Sequence, residues 1–245
     1  MYKDYESHWA NDEVHVDIPF SAAGVATTII LTSNFTGKMM LLDVGDGVLR
    51  DLLMSGNTDF VHEIDPIAIS HGHFDHVGGL HSLLGFMQMM GRTKPLNILI
   101  PIDCKQAISI IKGFRDNYKE RLPFKIWYHE MSEGSGFDTD FFKVNSFDVE
   151  HYSLEFHPEE EVLEPSLGFR VQIGATMVGY TGDTRLCIGA ETIVRDVDLA
   201  IIEATRKETP TGPRVHLSEA EASNLGKLAK DFILIHKVPI PTKLH

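Results

Sequence analysis

Short, strongly apolar segments rich in β-branched residues recur along the whole chain, and they limit its architecture more than any other feature. They are VATTIILTS (25–33), KMMLLDVG (38–45), PIAIS (66–70), LNILIP (96–101), FKIWYH (124–129), LGFRVQIG (167–174), TMVGYTG (176–182), DLAIIEA (198–204) and FILIHK (232–237). Each is bounded by Gly, Pro or Asp and is apolar at consecutive positions, the pattern of strands covered on both faces. Helical stretches separate them. GGLHSLLGFMQMMGR (78–92) is apolar nearly all round and predicts a buried helix, with Met87, Met89 and Met90 as core packing. DCKQAISIIKGFRDNYKE (103–120) places Ala107, Ile108, Ile111 and Phe114 on one face. In LSEAEASNLGKLAKD (217–231), Ser218 three residues ahead of Glu221 is a capping box that marks a helix start. The first half runs from strands into alternating helices and strands, and the second half repeats that order. The chain is therefore expected to form one α/β domain over residues 1–245, a layered sandwich with helices outside.

The bulk numbers exclude several classes. At 43% hydrophobic and 23% charged, the composition is that of a globular protein. No apolar stretch reaches the ~18 residues of a membrane span, and the opening MYKDYESHWANDE is too polar and acidic for a signal peptide. Cys104 and Cys187 read as buried thiols in a reducing compartment, so a cytoplasmic location is expected. The formal charge of −13 argues against a general nucleic-acid coat, which needs a basic surface. The acidic run PEEEVLE (158–164) reads as a solvated turn.

SHGHFDHVGGL (70–80) carries the chemistry. His71 and His73, two apart on an extended chain, face the same side. Neutral imidazole and carboxylate are the ligands that Zn²⁺ and similar ions take in catalytic sites. One ion needs about three protein ligands and a water. Four candidates on one loop, His71, His73, Asp75 and His76, cannot all enclose a single ion, so two ions are expected, with further ligands arriving from elsewhere. His151 after the alternating VNSFDVE, Asp183 at the end of VGYTGD and His236 at the end of FILIH each stand at the end of an apolar strand. Gly179 and Gly182 leave room beside Asp183 for close approach. His157 in LEFHPEE competes with His151 for the third histidine position.

The ordered set SHGHFDH, VEHY, YTGDTR and ILIH resembles the metallo-β-lactamase superfamily of hydrolases from about residue 18 to the C-terminus. The aspartate–glycine turn in LLDVGDGVLRDLL (41–53) fits that resemblance. It implies a four-layer αββα sandwich and two divalent metal ions, Zn²⁺ first, with Mn²⁺ or Fe²⁺ as alternatives. His71, His73 and His151 would hold one ion, Asp75, His76 and His236 the other, and Asp183 would bridge them.

IIEAT (201–205) followed by VHLSEAEA (215–222), together with GDTR and GRTKPLNILIP (91–101), resembles the ribonuclease Z branch. That implies a phosphodiesterase acting through a metal-bridging hydroxide. Glu203 would raise the basicity of His216, which would protonate the leaving oxygen, and Asp75 would orient the attacking water. Relative to that branch the chain has no space for a tRNA-binding arm between His151 and Asp183, and PFSAAGVATT (19–28) replaces the usual Gly-Thr turn. A small phosphodiester or short oligonucleotide is the expected substrate, and a homodimer is compatible with the branch. Alternatives are an esterase, lactonase or thioesterase using the same hydroxide, a tRNA 3′-processing endoribonuclease, and a metal-binding sensor without turnover.

Overall fold

The computed structural model describes residues 5–153, 162–208 and 216–239. The first sheet has seven strands in chain order, β1 (Ser7–Ala10), β2 (Val14–Ala22), β3 (Ala26–Ser33), β4 (Met39–Val44), β5 (Ile64–Ala68), β6 (Leu96–Pro101) and β7 (Ile126–Met131). Pairing is antiparallel from β1 to β4 and parallel from β4 to β7. Parallel neighbours need crossovers. These carry α1 (Val48–Leu53), α2 (Phe60–Glu63), α3 (Phe74–Val77), α4 (Leu80–Met89) and α5 (Lys105–Tyr118).

A short ribbon follows, and a second sheet completes the described chain. In chain order the strands are β8 (Gly136–Asp138), β9 (Lys143–Asp148), β10 (Tyr152–Ser153), β11 (Val162–Leu163), β12 (Leu167–Ile173), β13 (Thr176–Tyr180), β14 (Leu199–Glu203) and β15 (Asp231–Ile235). Six of them pair in the order β15-β14-β13-β12-β9-β8, while β10 and β11 pair only with each other. Helices α6 (Ile188–Val194) and α7 (Glu219–Gly226) lie between β13 and β15 in the chain.

Alternation along the strands builds three apolar layers, which explains why the strand segments are apolar at consecutive positions. Leu41 on β4 and Ile98 on β6 face α1, α4 and α5, whereas Met40, Leu42 and Leu99 turn the other way into the space between the sheets. Phe142, Val144, Phe169, Val171, Val178, Leu199 and Ile201 meet them there from the second sheet. Ala200 and Ile202 on β14 point outward against α6 and α7. Helix, sheet, sheet and helix layers follow, the αββα order that the resemblance implies.

Two local expectations need correction. The segment 78–92 is not buried all round: Leu80, Leu83, Leu84 and Met87 pack inward, but Met89 is 70% and Met90 40% exposed. Only the α4 face toward the first sheet is covered, so of the methionines Met87 alone is core. Cys104 is buried as expected, but Cys187 is half-buried and caps α6, its Sγ accepting from the Ala190 N–H. The Ser218 capping box on α7 forms in full, and Ala107, Ile111 and Phe114 of α5 are buried as the periodicity predicts.

Candidate metal centre

The candidate site gathers polar residues that follow strands of both sheets. His71, His73, Asp75 and His76 leave β5 through the turn into α3. Asp183 follows β13 and His236 follows β15 directly. His236 takes the left-handed conformation at φ 57, uncommon outside glycine, and its Nε2 stands 3.2 Å from both His76 Nε2 and Asp75 Oδ2. Gly182 ahead of Asp183 has φ 60, and a Cβ there would stand 2.8 Å from the Leu167 carbonyl oxygen and 2.9 Å from Ser70 Cβ. Gly179 is needed for a different contact, because a Cβ on it would lie 2.5 Å from the Ile193 carbonyl of α6.

Four groups of donor atoms, each within 4.8 Å of one another, result: His71/His73/His151, His71/His76/Asp183, Asp75/His76/His236 and Asp183/His216/His236. The groups share members, so they form one continuous cluster. Asp183 touches most of it, with Oδ2 3.4 Å from His76 Nε2 and 3.9 Å from His71 Nε2, and Oδ1 3.4 Å from His236 Nδ1. Every expected ligand therefore falls in the cluster. His157, the rival to His151, lies outside the described residues. His216, read from the sequence as the acid that protonates the leaving oxygen, also belongs to a donor group.

The donor set fits a divalent cation. Among the described residues His71 Nε2 is buried with no hydrogen-bond partner, an orphan that folded proteins rarely tolerate. Burial and the neighbouring His76 hold this imidazole well below its ordinary pKa, so its nitrogen lone pair faces the cluster. Burial works against ionisation of Asp183, but the His236 and His76 imidazoles outweigh it and keep the carboxyl well below its usual range. Asp75 is likewise disfavoured by burial, yet His236 and His76 bring it down to about 2. The neutral His71 imidazole beside ionised Asp75 and Asp183, with further imidazoles and no thiolate in the set, suits Zn²⁺, Mn²⁺ or Fe²⁺.

Comparison with known proteins follows the same lines. A family model described as the Beta-lactamase superfamily domain matches residues 41–236. The chain belongs to the metallo-β-lactamase superfamily. Within it the chain is ribonuclease Z-like: it is 31% identical over 245 aligned residues to ribonuclease Z of Pyrococcus abyssi, covering 83% of this chain and 78% of that one. The crystal structure of human tRNase Z, short form, superimposes with a TM-score of 0.72 at 22% identity, covering 91% of this chain and 92% of the other. The metallo-β-lactamase fold protein YhfI from Bacillus subtilis does so with a TM-score of 0.71 at 18% identity, covering 94% and 89%. The chain is thus a metal-dependent hydrolase with the αββα fold of its superfamily.

In this superfamily member the residues around the cluster are as ordered as the cluster itself, and several escaped the sequence reading. Asp43, fully buried at the end of β4 with φ 59, accepts from four donors. They are Ser70 N–H and Ser70 Oγ at 2.7 Å, His76 Nδ1 at 2.8 Å and Tyr180 OH at 2.6 Å. With Nδ1 committed to Asp43, His76 turns Nε2 to the cluster. Thr205 does the same for His236, its Oγ1 standing 2.9 Å from Nδ1 while donating to Glu203 Oε2 at 2.8 Å. Gly24, in the turn that replaces the branch's Gly-Thr pair, donates its N–H to Asp75 Oδ2 at 2.8 Å. The signal for Asp43 was present as the aspartate–glycine turn, but nothing in the sequence says that four donors converge on it.

Among the described residues, no helix is long and apolar enough to cross a membrane.

Proposed function

We propose that the chain hydrolyses phosphodiester bonds, with His71, His73 and His151 holding one divalent ion, Asp75, His76 and His236 a second, and Asp183 shared between them. When bound, such a pair supplies Lewis-acid activation of water and of the attacked phosphoryl group. The observation that carries the phosphodiester reading is the Glu203–His216 contact, with Oε1 3.0 Å from Nδ1 at the edge of the donor cluster.

Glu203 is fully buried and its position is over-determined. Oε1 also accepts from the Leu217 N–H at 3.0 Å and the Thr184 N–H at 3.2 Å, and Oε2 from the Thr205 N–H at 2.9 Å. A carboxylate on Nδ1 fixes that nitrogen as the donor and leaves Nε2 of His216 to face a substrate. Burial pulls the His216 imidazole down, but the hydrogen bond and charge of Glu203 outweigh it and hold the pKa above its ordinary value. The shift favours the protonated ring, which can deliver its proton from Nε2 to a leaving oxygen. General-acid help of this kind is worth about 10²–10⁴-fold in rate. Asp75, low in pKa and held by the Gly24 N–H, serves to orient water by accepting its hydrogen bond.

The substrate side has two supports that point differently. Similarity to ribonuclease Z favours an RNA phosphodiester, and tRNA 3′-processing is the second reading on that ground. The charge of −13 and the short interval between His151 and Asp183 favour a small phosphodiester or short oligonucleotide. The free thiols of Cys104 and Cys187 suit a reducing, cytoplasmic setting. The test is hydrolysis of bis(p-nitrophenyl) phosphate by the zinc- or manganese-loaded chain beside His216→Ala. A rate lower by about 10²–10⁴-fold in the variant, with metal retained, supports the acid role; an unchanged rate removes Glu203 and His216 from the mechanism. Cleavage of a precursor tRNA in preference to dinucleotides would favour the second reading, and turnover confined to carboxylic esters or lactones would replace both.

A further inference from the structure

Most rings of the donor cluster have a hydrogen-bond partner on Nδ1. Asp43 serves His76, Thr205 backed by Glu203 serves His236, and Ser70 Oγ stands 3.0 Å from His71 Nδ1. His73 is oriented the other way. Its Nδ1 faces inward, 3.2 Å from His151 Nε2, so Nε2 points outward. That outer nitrogen meets Glu164 Oε2 at 2.9 Å.

Glu164 is the last residue of the acidic run that reads as a solvated turn in the sequence. In the fold it leaves β11, which pairs back on β10 with Tyr152 opposite Leu163 and Ser153 opposite Val162. Its backbone N–H donates to the His151 carbonyl at 3.0 Å. The β10–β11 ribbon thus ties Glu164 to one member of the His71/His73/His151 group and delivers its carboxylate to another. Glu164 itself is in none of the donor groups among the described residues, and its carboxylate meets the cluster at the His73 imidazole.

We propose that Glu164 is a positioning residue that holds His73 as the Nε2–H tautomer and turns the Nδ1 lone pair to the ion bound by His71, His73 and His151. A neutral imidazole carries one proton, and a carboxylate on Nε2 decides which nitrogen keeps it. The partner also stiffens the ring; losing such a contact costs about 10–100-fold in metal affinity. The His73 side chain is 37% exposed and that of Glu164 20%, so water competes for the contact and the lower part of that range applies.

This assignment rests on the ion-holding role proposed for His73 and not on the identity of the substrate. The test is zinc retention against a competing chelator, read for the full chain and for Glu164→Ala and Glu164→Gln, with ¹⁵N–¹H spectra of the histidine side chains in the zinc-loaded protein. A glutamine oxygen still accepts from Nε2–H. The expected result is that Glu164→Ala holds one zinc equivalent about tenfold more weakly, that Glu164→Gln stays within about threefold of the parent because its acceptor remains, and that the His73 Nε2–H resonance persists in glutamine and is lost or broadened in alanine. Equal retention in all three proteins, or equal loss in both variants, would overturn the tautomer assignment. Zinc retention is measured without substrate, so absence of phosphodiesterase activity leaves this outcome readable.

Discussion

Asp43→Asn tests how far the metal centre depends on a residue that touches none of its proposed ions. Asparagine keeps the volume and is among the few residues at ease with the φ of 59 at this position, so backbone strain does not cloud the result. The change is electrostatic. Ser70 N–H donates to Oδ1, while Ser70 Oγ, His76 Nδ1 and Tyr180 OH all donate to Oδ2. An amide keeps one acceptor oxygen and sets an NH₂ against the remaining donors. The hydroxyls of Ser70 and Tyr180 can rotate to accept, but the His76 ring must change tautomer.

Hydrogen bonds to a charged acceptor are worth about 1.5–3 kcal/mol each, and breaking a buried charged contact costs about 3–5 kcal/mol. With two hydroxyls able to reorient, a loss of about 3 kcal/mol is expected, or roughly 6–12 °C in Tm for a chain of this size. The tautomer change has a second consequence. A donor amide on Nδ1 moves the ring proton to Nε2, which stands 3.2 Å from His236 Nε2 inside the cluster. The lone pair that would bind an ion is lost, and zinc affinity falls by about 10–100-fold. Thermal melting of the chelated protein reads the first effect and a zinc competition titration the second. An Asp43→Asn protein melting within about 2 °C of the parent, and holding zinc equally well, would refute the account of Asp43 as the anchor of His76.

Further perturbations probe other parts of the argument. Gly182→Ala forces a side chain onto a φ of 60 and against Leu167 O and Ser70 Cβ; the backbone ahead of Asp183 must shift, and metal retention should fall more than Tm does, read by the same two assays. Asp65 is pushed above its ordinary value of 3.8 by burial, with only partial offset from the N–H groups of Asn97. Its folded state binds the proton more tightly than its unfolded state, so its stabilising contribution is full below about 3.8 and is lost as pH rises through the raised value. Urea midpoints of the parent minus those of Asp65→Asn should therefore decline with rising pH from that point and then level off. A flat difference would show that Asp65 titrates normally.

Much of this architecture is legible in the sequence because strand burial on both faces leaves unbroken apolar runs, and β4, β6, β13 and β14 sit where those runs are. The histidine cluster is legible because one loop carries metal-ligand residue types at a spacing that core packing does not require. What stays hidden are residues whose partners are distant in the chain. Asp43 reads as a turn residue, since its donors come from residues 70, 76 and 180. Glu164 reads as one charge among many, since only the β10–β11 pairing turns it toward His73. Met89 and Met90 mislead for the opposite reason: their composition is that of a core, but α4 covers only one face of itself. Periodicity reports which residues are apolar, not where the layer ends.

The division of the proposed ligands between the two halves of the chain carries a thermodynamic consequence. His71, His73, Asp75 and His76 follow β5 of the first sheet, while Asp183 and His236 follow β13 and β15 of the second, and His151 comes between β9 and the ribbon. Ions held by this set would bind the assembled sandwich and not an unfolded chain, whose ligands are scattered over residues 71–236. Binding then stabilises the fold by mass action, about 4 kcal/mol at a free ion concentration 1,000 times Kd. Removal with a chelator should lower Tm by roughly 8–16 °C, and readdition of zinc should restore it in a concentration-dependent way. Part of the effect must persist in His216→Ala, which leaves the ligands proposed for both ions in place, and must shrink in His236→Ala, which removes the contribution of the last strand. Equal responses to the chelator in those two variants would mean that the ions do not join the sheets as the geometry requires.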